Sequence, residues 1–232
     1  MDDAQHRAST LLETLRATPM RRGPATAAQR AVEDRVAEAI AVPGVAPRLA
    51  RRVAYQLVMK CDVTGQSERT TWRAIGVQLA RETDRLRTGL GLVDRQIVVA
   101  LPKLAPPDIE QLLATLQRRE PSVARTILNA ALDASVPREM AERYLEEYRR
   151  VVESLAHLEP ELARTLANAT FMARRPTQKA RRHLQQFERL VTTFGDTGAP
   201  IRTLAREACR APRPQAAGQW FLTDRRAVIA LV

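Results

Sequence analysis

An Arg-Thr pair recurs four times along the chain at nearly constant spacing. The copies are Arg87-Thr88, Arg125-Thr126, Arg164-Thr165 and Arg202-Thr203, at intervals of 38, 39 and 38 residues. Around the second and third copies the likeness widens. Residues 120–132 align without a gap on 159–171, with seven of the 13 positions identical, and Val123/Leu162 and Ile127/Leu166 are apolar swaps. A period of this length is close to the ~40 residues of two-helix repeats, whose single units cannot bury their apolar face and must stack on neighbours. The expectation is an all-α fold, an array of antiparallel helix pairs.

Prolines mark where those helices start. Pro107, Pro121, Pro137, Pro160, Pro176 and Pro200 each precede a run with helical periodicity. Proline suits the first helical position, because its missing N–H has no intrahelical acceptor there and its φ is already helical. The pattern predicts helices over 107–118, 121–134, 137–157, 160–173, 176–194 and 200–211, with Gly195 as a left-handed cap after the fifth. Short joins make consecutive helices antiparallel neighbours, hence three αα-hairpins. Ahead of them the periodicity predicts helices at 4–17, 26–41, 47–61, 70–88 and 93–103, and a loop over 61–67. On this reading residues 1–104 are a less regular helical region and 105–211 the repeat region. Residues 212–232 are a linker and an apolar tail.

Over residues 106–211 this pattern resembles the HEAT-like helical-repeat proteins. The resemblance implies stacked helix pairs, in some members wound into a superhelix. It also implies that a recurring arginine of the second helix ties adjacent repeats together, which would make Arg125, Arg164 and Arg202 structural. Where such families carry an aspartate before that helix, this chain has Glu120 and Glu159. Proteins of this shape include scaffolds, adaptors and DNA-binding or DNA-repair proteins.

The remaining chemistry points away from catalysis. The histidines are His6, His157 and His183, and none has a second ligand at metal-binding spacing. Gly89-Leu90-Gly91 lacks the strand–turn–helix setting of a phosphate loop. Glu142, Glu146 and Glu147 alternate with Arg143, Arg149 and Arg150 as a mutually screened helix face. Neither a catalytic set, a metal nor a cofactor is expected, although helical-repeat DNA-repair enzymes lack an obvious motif too. Cys61 and Cys209 are too few for a disulfide framework and are expected as buried thiols. No apolar run reaches the ~18–20 residues of a membrane span, and the start of the chain, with Asp2 and Asp3, does not read as a secretory signal. A cytoplasmic protein is expected.

Charge is the feature with functional content. The net charge is +11, and 34 of the 37 basic residues are arginine. It is polarised: residues 45–104 carry +6, 105–170 carry −3 and 171–232 carry +8. Arg174, Arg175, Lys179, Arg181 and Arg182 crowd the predicted start of a helix, where cations oppose the dipole. Arg202, Arg206 and Arg210 repeat every four residues, and Arg48, Arg51 and Arg52 form a smaller cluster. Such surfaces favour polyanions, and phosphate contacts release counterions. With nine aromatic residues in the chain, base-stacking on single strands is disfavoured, and duplex DNA held through its phosphates is the expected partner. Trp72, Ile75, Leu79 and Leu86 admit a helix-turn-helix within 68–95, without a clear recognition helix. The tail carries Trp220, Phe221, Leu222 and Ile229, and either caps the array or docks on a protein partner. The alternative function is a protein-interaction scaffold on a larger machine such as RNA polymerase.

Overall fold

The computed structural model describes residues 3–19, 25–61, 63, 69–194, 203, 207–208 and 216–217, and among them every regular element is a helix. In chain order these are α1 (Asp3–Ala17), α2 (Ala27–Ile40), α3 (Pro47–Cys61), α4 (Arg69–Leu90) and α5 (Asp94–Ala100). They are followed by α6 (Pro106–Arg119), α7 (Ala124–Leu132), α8 (Pro137–Ser154), α9 (Pro160–Thr170) and α10 (Pro176–Phe194). Proline is the first residue of α3, α6, α8, α9 and α10. At α2 a reciprocal cap replaces it: Gln29 N–H donates to Thr26 Oγ1 (3.2 Å), and Thr26 N–H donates to Gln29 Oε1 (2.8 Å). Helix α4 runs unbroken through most of 68–95 to Gly91, whose φ of +62° turns the chain so that the next N–H, of Leu92, reaches back to Leu86 O at 3.3 Å. A helix-turn-helix cannot form inside so long a helix, and the seven-residue α5 that follows packs on α3, α4 and α7.

Four boundaries lie three residues from the sequence pattern, the end of α9 at Thr170 rather than 173 among them. Helix α7 begins at Ala124 rather than 121, because the N–H groups of Val123 and Ala124 both turn back to Glu120 O (3.3 and 3.1 Å). Val123 thereby buries its side chain at a non-helical φ of −122°. Helix α5 stops at Ala100, two residues before Pro102, which cannot donate to the helix ladder. Helix α8 ends at Ser154, where i→i+3 bonds from Leu155 and Ala156 tighten the chain. Cys61, expected to be buried, is half-exposed at the end of α3. Of the predicted helix 200–211, residues 203, 207 and 208 are described and helical, whereas Gly195 and Cys209 lie outside the described residues.

The chain forms two compact units, Met1–Arg138 and Glu139–Val232. In the first, α1 and α2 each pack on both α3 and α4, α6 packs on α4 and α7, and Leu15, Leu57, Ile75, Leu79 and Ile97 are fully buried. Helices α2 and α4 approach each other at Gly76, where an added Cβ would fall 2.4 Å from Ile40 O. Arg125 Nη1 donates to Leu90 O at 3.1 Å, tying α7 to the end of α4. In the second unit α9 packs on α10. Phe171 stands edge-on to Tyr144 and Tyr148, with centroids 5.5 and 6.4 Å away. Leu190, Phe187 and Val191 of α10 gather with Ala208 and Ala217. Among the described residues no helix is long and apolar enough to cross a membrane.

The two segments matched in sequence also match in burial. Val123, Ala124, Ile127, Leu128, Ala131 and Leu132 are buried, and so are their counterparts Leu162, Ala163, Leu166, Ala167, Thr170 and Phe171. Arg125 and Arg164 are both exposed.

Candidate nucleic-acid interface

Helix α10 buries one side and leaves the other cationic. Pro176, Ala180, His183, Gln186 and Leu190 are buried and Phe187 is half-buried, a spacing of three and four residues that marks a single stripe, which at Gln186 reaches toward the cationic face. Arg181, Arg182, Gln185 and Arg189 are exposed, as are Lys179 and, just before the helix, Arg174 and Arg175. Arg175, Arg182 and Arg189 stand seven residues apart, two helical turns each, so they share a line roughly 21 Å long. Lys179 lies one turn from both Arg175 and Arg182. Six cations thus stand over the outer face of α10 and the residues before it, where Glu188 is the one carboxylate. His183 adds no charge at neutral pH: burial, and then the Lys179 ammonium, push its pKa below the ordinary histidine value.

Among the described residues, some arginines of the first unit are matched with acids, whereas others, Arg48, Arg51, Arg73 and Arg81 among them, are not. Arg85 Nη2 donates to Glu110 (2.6 Å) and Arg87 Nη2 to Asp94 (2.7 Å), while Arg16 pairs with Glu82 and Arg138 with Asp108. The hydrogen bond from Arg85 pushes the Glu110 carboxyl below its usual range, as expected of a carboxylate held ionised. Among the described residues, Arg174, Arg175, Lys179, Arg181, Arg182 and Arg189 have no side-chain hydrogen bond or ion pair. Their charges are left for solvent or a ligand.

The α3 cluster divides. Arg48 and Arg51 are exposed, whereas Arg52 is half-buried beside a cavity of the first unit. Arg202, Arg206 and Arg210 lie outside the described residues, and so do Trp220, Phe221, Leu222 and Ile229 of the tail. Arg189 escaped the sequence reading, though its seven-residue spacing from Arg182 was there to find. Gly91 closes a helix rather than opening one, so Gly89-Leu90-Gly91 is no phosphate cradle. Among the described residues no group of three or more His, Cys, Asp or Glu is placed to hold a metal ion. Comparison with protein-family models, curated proteins and solved structures finds no match to this chain.

Proposed function

We propose that this protein acts by binding rather than catalysis, and that its ligand is nucleic acid, duplex DNA foremost, held through its phosphates by the outer face of α10. The observation that carries this is the line Arg175–Arg182–Arg189 with Lys179 beside it, exposed and without acidic partners among the described residues. Cations near a helix start oppose the dipole, so helix stability does not account for Arg174, Arg175 and Lys179; an anionic partner does. The described aromatic side chains favour duplex over single strands. Trp72, Tyr148 and Phe171 are buried and Tyr55, Tyr144 and Phe187 half-buried, so none of them offers an open stacking platform. In this reading the helices form a HEAT-like stack of antiparallel pairs with a period near 38 residues. The shared burial pattern of 123–132 and 162–171, and the Arg125 bond to Leu90 O, support that stack.

The variant R175E/K179E/R182E tests the interface. Its three positions are solvent-exposed, so helicity and melting should stay as in the parent chain. Affinity for a 30-bp duplex of any sequence (a length of roughly three helical turns) should fall by about 100-fold at low salt, with the salt dependence shallower by about three. Duplex affinity unchanged by the triple reversal would remove α10 from the interface. Selective loss on one sequence would replace phosphate contact by base reading.

A further inference from the structure

A second cationic site is built into the first unit, by residues far apart in sequence. A cavity of about 590 Å³ is lined by Arg16 of α1, Arg52, Gln56 and Lys60 of α3, Lys103 after α5, and Arg138 of α8. Arg52, Gln56 and Lys60 follow at four-residue steps, which places them along one line of α3. The described residues lining the cavity include no carboxylate. Of the three lysines in the whole chain, two are here.

Part of this charge serves the fold. Lys60 Nζ donates to Leu15 O (2.9 Å), Lys103 Nζ to Leu132 O and Ala134 O (2.7 and 2.6 Å), and Arg16 Nε to Leu101 O (3.0 Å). Each thus satisfies carbonyls that a helix end leaves open. Arg16 and Arg138 are further matched by Glu82 and Asp108. Arg52 and Gln56 are not explained this way. Arg52 Nε is buried with no hydrogen-bond partner, and so is Oε1 of Gln56, a residue 93% buried (relative exposure 7%). Arg52 also works against Lys103, whose pKa is pushed down first by burial and then by the Arg52 charge, with the Asp133 carboxylate acting the other way. A buried amide oxygen and a buried guanidinium N–H without partners, beside two half-buried ammonium groups, are costly unless something else occupies the space.

We propose that this cavity binds a small phosphorylated molecule, with its phosphate between Arg52 and Lys103 and a hydroxyl donating to Gln56 Oε1. A phosphate group answers the chemistry point by point. It accepts from the Arg52 guanidinium and from the free N–H bonds of Lys103 and Lys60, and it relieves the repulsion among them. The unpartnered Gln56 Oε1 needs a donor, which a hydroxyl next to that phosphate supplies. The volume lies within the range of ordinary ligand pockets and exceeds what a lone phosphate fills.

Thermal unfolding of the full chain, titrated with inorganic pyrophosphate at constant ionic strength, tests this, with variants R52M and Q56L alongside. The melting temperature of the parent chain should rise saturably with pyrophosphate, as for any ligand that binds the folded state alone. In R52M the pyrophosphate needed for half the effect should increase by at least ~10-fold, the scale of one lost charged hydrogen bond. Q56L, which meets no donor on pyrophosphate, should raise by that factor only the requirement for a hydroxyl-bearing phosphate such as glycerol 1-phosphate. Without ligand, R52M should melt no lower than the parent, since it removes a charge that repels Lys103. Should R52M fail to fold, the proposal is overturned in its assignment of Arg52, and the glycerol 1-phosphate response of Q56L decides whether the cavity binds a phosphorylated molecule at all. No saturable rise in the parent, or a pyrophosphate response of R52M equal to the parent's, overturns the site. A Q56L chain that responds to glycerol 1-phosphate as the parent does overturns the role of Gln56. A duplex that competes with pyrophosphate, and loses affinity in R52M, would make the phosphate a nucleic-acid one and overturn the small-molecule assignment. The R175E/K179E/R182E chain should respond to pyrophosphate as the parent does.

Discussion

Alanine at position 76 is expected to destabilise the first unit by about 3 kcal/mol, a large loss for one methyl group. Two effects of opposite sign meet there. Glycine inside a helix costs about 1 kcal/mol relative to alanine, so propensity alone would make the substitution stabilising. The added Cβ, however, would fall 2.4 Å from Ile40 O and 3.1 Å from Ile40 C, both backbone atoms of the facing helix end. Backbone cannot rotate out of the way as a side-chain tip can, so α2 and α4 must part and every contact between them loosens. Position 89 of the same helix is the control. A Cβ at Gly89 meets nothing within 4 Å, so G89A should gain up to about 1 kcal/mol from propensity. Denaturant unfolding of both variants checks the account. A G76A chain as stable as its parent would mean that α2 and α4 do not cross this closely.

Phe171→Ala is expected to cost the second unit about 3–5 kcal/mol. Phe171 is 1% exposed and meets the edges of both Tyr144 and Tyr148. Its removal therefore loses a buried aromatic side chain and two ring contacts, each contributing roughly 0.5–1.5 kcal/mol beyond burial. Leucine at the same position keeps most of the volume and should recover more than half of the loss. Leu132 occupies the equivalent place in the first unit and is equally buried. The midpoint of urea unfolding, followed by tyrosine fluorescence, reads the effect. A shift of less than about 1 kcal/mol in F171A would show that the ring is not a keystone of that core.

These two positions show what a linear sequence carries and what it hides. Proline placed the starts of α8, α9 and α10 because its effect is local, acting on its own φ and N–H. The start of α7 was hidden because Val123 takes its conformation from burial, which depends on residues distant in the chain. Gly76 reads from sequence as a mild weakness of a helix; only the facing Ile40 carbonyl makes it obligatory. The same division holds for the candidate sites. The α10 cations are neighbours in sequence, so composition alone singled them out, and periodicity then sorts them onto one face. The cavity gathers residues from α1, α3, the turn after α5 and the start of α8. No window of sequence contains more than a fraction of them, and its one sequence-selected member, Arg52, was grouped with Arg48 and Arg51 by adjacency rather than by the direction it faces.

Nucleic-acid binding through phosphates is the central claim, and the salt dependence of duplex affinity tests it most directly. Each phosphate neutralised by an arginine or lysine releases condensed counterions, contributing about −0.9 to the slope of log affinity against log salt. With the six cations of the α10 face engaged, the slope for a 30-bp duplex (three turns or so) should lie between about −5 and −7, alike for unrelated sequences. A slope near zero, or no binding at about 50 mM salt where phosphate contacts are strongest, would contradict the account.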